Sequence, residues 1–310
     1  MRVFTAVHKV FLWVLHGCCV PYRIELGRVP GAIYNPHFDI SFVSQASQEQ
    51  AKLVKPISQG KTEYTDTDIR YFFEIPSIME NGKIVGYSPR YSGRGVNIAL
   101  IDTDGYYNVP GVTYVYHIGI TRLFLRTMHD NRSVATLKDN SFPFIGVAPE
   151  SNVFVFPTTD SIYTSVPDFA YAFNALDEFS KYNRIDIVSV PMEAHGLTPV
   201  EKEAFRRIFT WFASNGIPII IAYGNQGMSE LVGIEGSYAV KIAQWDAPCE
   251  GNKYLYAPSN FKTTQGVFTG TSASTVAYSG FLAVLKQNGY DIVSFAKKGG
   301  CQTYPELLLE

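Results

Sequence analysis

Charge is scarce in this chain and evenly split. Asp, Glu, Lys and Arg supply 17% of the residues, 26 basic against 28 acidic, for a formal charge of −2. No block of Lys or Arg concentrates a positive field, so no nucleic-acid partner is expected. Long apolar runs are also lacking. Near the N-terminus Arg2 and Lys9 precede Val10 to Leu15, a run that His16 ends. A bilayer span needs about 20 such residues, and a signal-peptide core is usually longer than this run. No membrane span is expected, and localisation stays open, with the short run leaning against secretion. Cysteine is limited to Cys18, Cys19, Cys249 and Cys301, without the paired spacing of a zinc site. A Cys249 to Cys301 bridge is one open pairing. No carboxylates cluster at calcium-ligand spacing, so neither a metal nor another cofactor is expected. Internal repeats and low-complexity tracts are missing as well, which removes solenoids and disordered linkers.

What the chain does have is apolar mass. Apolar residues make up 46% and aromatics 14%, with 20 Tyr and 21 Phe, a composition that favours a globular protein with thick packing layers. Its 310 residues suffice for one large domain with an extension. Texture changes near residues 86 to 95. Before that point, pieces such as Ser44-Gln45-Ala46-Ser47-Gln48 alternate with short apolar clusters. Residues 1 to 70 are therefore expected to form an N-terminal extension. A propeptide is the other reading of that segment, and residues 71 to 310 are expected to form the main domain.

Beyond the change, strands and helices alternate. Val96 to Ile101 is a β-branched apolar run that ends at Asp102-Thr103-Asp104-Gly105, the punctuation of a buried parallel strand entering a loop. Val153 to Phe156, Ile185 to Val190, Ile217 to Tyr223 and Tyr238 to Ala243 read as further strands. Between them, Phe169, Ala172, Phe173, Leu176 and Phe179 share one helical face. Thr198-Pro199-Val200-Glu201 opens the next helix as a capping box, and Asn215-Gly216 closes it. This order predicts a three-layer α/β/α domain with a mostly parallel central sheet. In such sheets ligands gather outside the carboxyl ends of the strands, where Asp102 and Asn225 fall.

Gly270-Thr271-Ser272 precedes an apolar helix that includes Phe281 to Leu285. A serine there stands at the positive end of the helix dipole beside unpaired N–H groups, a favourable place for a nucleophile and its oxyanion. Thr271 or Ser272 acting only as an N-cap is the plainer alternative. Acyl transfer by serine also needs a histidine base and a carboxylate that orients it. His129 and Asp102 supply those groups, and Asn225 supplies an amide donor.

The order Asp102, His129, Asn225, Ser272 and the blocks around these residues resemble the subtilisin-like serine peptidases. Val96 to Gly105 is similar to that family's aspartate strand and Gly146 to Val153 to its Gly-Val-Ala-Pro turn. Ala222 to Gly227 resembles the asparagine segment, Lys241 to Asp246 the following strand, and Gly270-Thr271-Ser272 the nucleophile motif, with Gly280 at a later glycine position. The likeness spans about residues 70 to 290. It implies a serine endopeptidase with Ser272 as nucleophile, His129 as base, Asp102 as orienting carboxylate and Asn225 as oxyanion donor. Ser189, Val190, Pro191, Met192 and Gly224 would line the site for a peptide or protein substrate. Oligomeric state is left open.

The sequence departs from this pattern at three places. Val134-Ala135 comes one residue late after His129, so either a bulge restores the register or the histidine is displaced, with His117 and His195 as weaker bases. Val276 stands where the family has proline. Pro191, Met192, Glu193 and Ala194 replace a glycine-rich edge, which narrows the groove. These departures support an alternative, a catalytically inactive module of the same fold with a binding or assembly role. The Ser272-Ala273-Ser274 run is also similar to the sedolisins, but Asn225 stands where those carry aspartate. An α/β esterase is disfavoured because Ser272 lacks a Gly-x-Ser-x-Gly elbow.

Overall fold

The computed structural model describes residues 52–54, 69–105, 107–116, 128–158, 166–243, 249 and 251–305. Its elements follow the chain as β1 (Lys52–Val54), α1 (Ile69–Phe72), β2 (Ser77–Glu80), β3 (Lys83–Tyr87), β4 (Asn97–Asp102) and β5 (Val112–Tyr114). Next come α2 (His129–Lys138), β6 (Asn140–Ser141), β7 (Phe144–Ile145), β8 (Asn152–Pro157), α3 (Val166–Ser180), β9 (Ile187–Val190) and α4 (Pro199–Ser214). The chain continues through β10 (Ile219–Ala222), β11 (Ser237–Ile242), β12 (Leu255–Ala257), β13 (Phe261–Thr263) and β14 (Gly266–Phe268) to α5 (Gly270–Gln287) and α6 (Ile292–Lys298).

Seven strands form the central sheet in the order β12-β11-β10-β9-β4-β8-β5, and every pair in it is parallel. The two-residue alternation of a strand explains the layers around it. Ile98 and Leu100 of β4, with Val153 and Val155 of β8, pack toward α2 and α5. Ala99 and Ile101, with Phe154 and Phe156, face α3 and α4. Both faces are covered, which is why the strands read as unbroken apolar runs. Phe169 and Phe173 of α3 interlock with Phe205 and Phe209 of α4 on the second face, where Phe179 packs on Phe154 and Phe156 of β8. Burying each such ring contributes roughly 1.5–3 kcal/mol. The three-layer expectation thus matches the observed architecture.

Local signals act as expected at α4. Thr198 Oγ1 accepts from the Glu201 N–H at 3.3 Å, and Glu201 Oε2 accepts from the Thr198 N–H at 2.7 Å, which closes the capping box. At the other end of the chain order, the boundary drawn between residues 70 and 71 falls inside α1, a buried turn. Arg70 is fully buried there. Its guanidinium donates to the carbonyls of Val147 at 2.8 Å, Tyr91 at 2.9 Å and Pro76 at 3.2 Å, and to Ser77 Oγ at 2.9 Å. Burial pulls its pKa down to about 9, and the carbonyl cage holds it in place. β1 pairs with β2 in a side sheet. The short apolar run at Val10 to Leu15, Cys18, Cys19 and the rest of residues 1–51 lie outside the described residues.

A Cys249–Cys301 disulfide joins the loop after β11 to the segment after α6. That segment pairs at Gly300 with Leu255, the first residue of β12, and Tyr304 N–H donates to Phe73 O at 2.6 Å. The bridge closes a separation of 52 residues, for which chain entropy predicts about 4 kcal/mol. Cys301→Ser should lower Tm by roughly 5–10 °C in a calorimetric scan. Reductant should shift the wild-type chain by the same amount and leave the variant unmoved.

Candidate active site

Asp102 is the last residue of β4 and fully buried. A carboxylate in that position must be matched by donors, and three converge on it. The Thr103 N–H and the His129 Nδ1 each lie 2.6 Å from Oδ1, while Ser133 Oγ donates to Oδ2 at 2.6 Å. With Nδ1–H committed to Asp102, the neutral ring presents Nε2 as its free acceptor. The His129 side chain is 29% exposed, and Phe268 meets its ring edge-on at 5.3 Å between centroids.

The late Val134-Ala135 pair needs no bulge. α2 runs unbroken from its first residue, His129. Residues 129 and 133 are one turn apart and therefore share a face, so the helix aims both His129 and Ser133 at Asp102. His129 therefore reaches Asp102 without a bulge. His195 instead lies 3.5 Å from Glu193 Oε2 and is half exposed, while His117 lies outside the described residues. Burial lowers the His129 pKa, but the charge and hydrogen bond of Asp102 outweigh it and hold the imidazole above its ordinary value.

Behind this pair sits a second carboxyl group. Asp130 is fully buried, accepts from Tyr114 Oη at 2.8 Å through Oδ2, and has no partner at Oδ1, which packs against the bare α-carbon of Gly105. Burial first, and then the charge of Asp102, push its pKa up to about 8. Near neutral pH it is a neutral acid, so it adds no second charge behind Asp102.

Ser272 is the third residue of α5 and 8% exposed. The N-cap of that helix is Thr269, so Thr271 and Ser272 lie inside the first turn instead of capping it. The capping comes from another loop. Asn225 Oδ1 accepts from the Thr271 N–H at 2.9 Å and from Thr271 Oγ1 at 3.2 Å. Because the backbone N–H can only donate, the amide orientation is fixed and Nδ2 is left as a donor. Gly270, at φ +80°, allows this approach, since a Cβ there would stand 2.8 Å from Asn225 Oδ1. The Ser272 hydroxyl donates to Pro191 O at 2.7 Å. Among the described residues no hydrogen bond joins it to His129.

The β4, β9 and β10 register places these groups at one edge. Leu100 and Ile220 both pair with Ser189, so Asp102, Pro191 and Ala222 lie two residues further along at one level. Ser189 and Val190 are fully buried within β9, and Ser189 Oγ bonds Ser279 Oγ at 2.9 Å. Pro191 is buried as well, so the partly exposed edge begins at Met192, with Gly224 in the loop after β10. Sequence reasoning missed Ser133 and Asp130 as parts of this site. The spacing of four between His129 and Ser133 was the available signal. Trp245 and Asp246, at the end of the strand-like block from Lys241, lie outside the described residues. No group of three or more His, Cys, Asp or Glu that could hold a metal ion occurs among the described residues.

Neither a protein-family model nor a curated protein matches the sequence. Solved structures do. A cold-adapted subtilisin-like serine proteinase superposes with a TM-score of 0.53 at 16% identity, covering 68% of this chain and 82% of that one. An alanine variant of the protease domain of PatA gives 0.52 at 14%, covering 69% and 86%. The chain therefore has the subtilisin-like fold.

The raised pKa of Asp130 fixes the sign of a pH effect. Between the ordinary aspartate value and about 8, the unfolded chain ionises this group while the folded chain keeps it protonated. Stability is lost as pH rises through that window. Asp130→Asn, which can still accept from Tyr114, should match the wild-type Tm near pH 4 and exceed it increasingly toward pH 8 to 9. A Tm difference that does not change with pH would contradict this.

Proposed function

We propose that this chain is a serine endopeptidase that hydrolyses peptide bonds, with Asp102, His129 and Ser272 as its triad and Asn225 as an oxyanion donor. The observation that carries the proposal is the 2.6 Å contact between His129 Nδ1 and the buried Asp102, on the sheet edge where Ser272 opens α5. The subtilisin-like fold and the protease neighbours are consistent with it, and a peptide is the substrate class such neighbours suggest.

In this reading the Ser272 hydroxyl turns from Pro191 O to His129 Nε2, which takes its proton as Oγ bonds to the scissile carbonyl carbon. The oxyanion that forms is met by Asn225 Nδ2 and by the free backbone N–H of Ser272, unpaired because it lies in the first turn. The imidazolium is stabilised by Asp102, and it returns the proton to the leaving amine as the C–N bond breaks. Water then attacks the acyl-enzyme by the same route, His129 again taking the proton. Pro191 offers no N–H for a substrate strand, so the binding edge must rely on carbonyls and on the loop after β10.

One observation favours the second reading, a silent module used for binding or assembly: the Ser272 hydroxyl rests on Pro191 O. Catalytic hydrogen bonds often tighten only with substrate, so reactivity separates the two readings. A fluorophosphonate should label the native chain at Ser272, fail on Ser272→Ala, and react at least ~1,000-fold more slowly with His129→Ala. The base works as neutral imidazole, so the labelling rate should rise with pH through a midpoint above the ordinary histidine value. Absence of labelling in native protein would favour the silent module.

A further inference from the structure

We infer that Glu193 makes this site select a substrate whose residue on the acyl side of the cleaved bond carries a cationic side chain. The inference rests on the peptidase reading and goes beyond it, since nothing in that reading requires a charge preference. Its starting point is the carboxylate's place. Glu193 follows Pro191 by two residues, and its Oε2 accepts from the Asn225 N–H at 2.7 Å. The side chain thus crosses from the end of β9 to the end of β10, between the two segments that would flank an acyl residue.

Gly224 makes that crossing possible. At φ +120°, its α-carbon is bare where a Cβ would stand 2.7 Å from Glu193 Oε2 and 2.0 Å from Gly227 O. The carboxylate lies against this carbon with its side chain 25% exposed. Among the described residues Oε1 takes no hydrogen bond, and the group facing Oε2 is the His195 ring, its Nε2 3.5 Å away and itself half exposed. One carboxylate oxygen is therefore available to a ligand.

Substrate geometry points the same way. A carbonyl carbon over Ser272 Oγ, with its oxygen on the Asn225 amide, puts the acyl residue's α-carbon beside Asn225 and its side chain toward Gly224 and Glu193. A long apolar side chain would meet a charged oxygen there, which is costly to desolvate. A lysine or arginine would pair with it by a charge-assisted hydrogen bond. The oxyanion adds a second argument. A carboxylate bonded to the backbone of the oxyanion donor opposes the negative charge that develops at the same place, and a cation on the substrate offsets that opposition.

The test uses the full-length Ser272→Ala chain, where no covalent step occurs. Binding of acetylated tripeptide amides ending in arginine or in norleucine is measured by calorimetry. Arginine should bind at least roughly tenfold more tightly. Adding E193Q, which keeps an acceptor for the Asn225 N–H, should bring the ratio near one, and adding E193K should favour a peptide ending in glutamate. Equal affinity of the first two peptides, no measurable binding of either, or a ratio that survives E193Q would overturn the inference. Failure of the peptidase reading appears separately, as absent fluorophosphonate labelling of native Ser272.

Discussion

Because β4, β9 and β10 run parallel and side by side, their last residues emerge at one edge of the sheet. Everything at the candidate site hangs from that alignment. Asp102 ends β4, Pro191 follows β9 and Asn225 lies just past β10, so three segments far apart in sequence deliver a carboxylate, a carbonyl and an amide to one place. Antiparallel pairing of any of them would send its loop to the opposite edge. The alignment is stable because both faces of the sheet are buried, one under α2 and α5 and the other under α3 and α4. A one-residue slip in β4 would turn Asp102 to the other face.

The edge is closed by a ring of hydrogen bonds. Glu193 accepts from Asn225, Asn225 accepts from Thr271, and Ser272 donates to Pro191, two residues before Glu193. Two strand ends and the start of α5 are thereby fixed to one another, so the Asn225 amide has little freedom left to lose when it takes on a charge. Across the site the electrostatics are asymmetric. Asp102 receives three donors, whereas Asp130, with one unpartnered oxygen, is held neutral near pH 7. Both carboxyls are fully buried, so the difference lies in the donors that reach each one.

Sequence reasoning went furthest where the signal is local or strictly periodic. The strand that ends in Asp102, the capping box at Thr198 and the order of strands and helices could all be read along the chain, and they determine the layers. Edge strands β5 and β12 escaped because three residues are too few to show a period. Arg70 escaped for a different reason. Its carbonyl partners come from Pro76, Tyr91 and Val147, and no local pattern announces a cage assembled from distant turns. At the site, the extra residue after His129 looked like a defect because the comparison was with a linear motif. On a helix the same insertion brings Ser133 under Asp102 and adds a donor. Glu193 was legible as an obstruction but not as a bridge to Asn225, since the bond joins two loops.

Phe268 links two groups that otherwise come from different elements. It ends β14, packs edge-on against the His129 ring and stands four residues before Ser272 on the same short stretch of chain. The ring that packs on His129 and the first turn of α5 thus share one short connection. A substitution at Phe268 therefore bears on both the histidine's packing and the approach to the serine's helix.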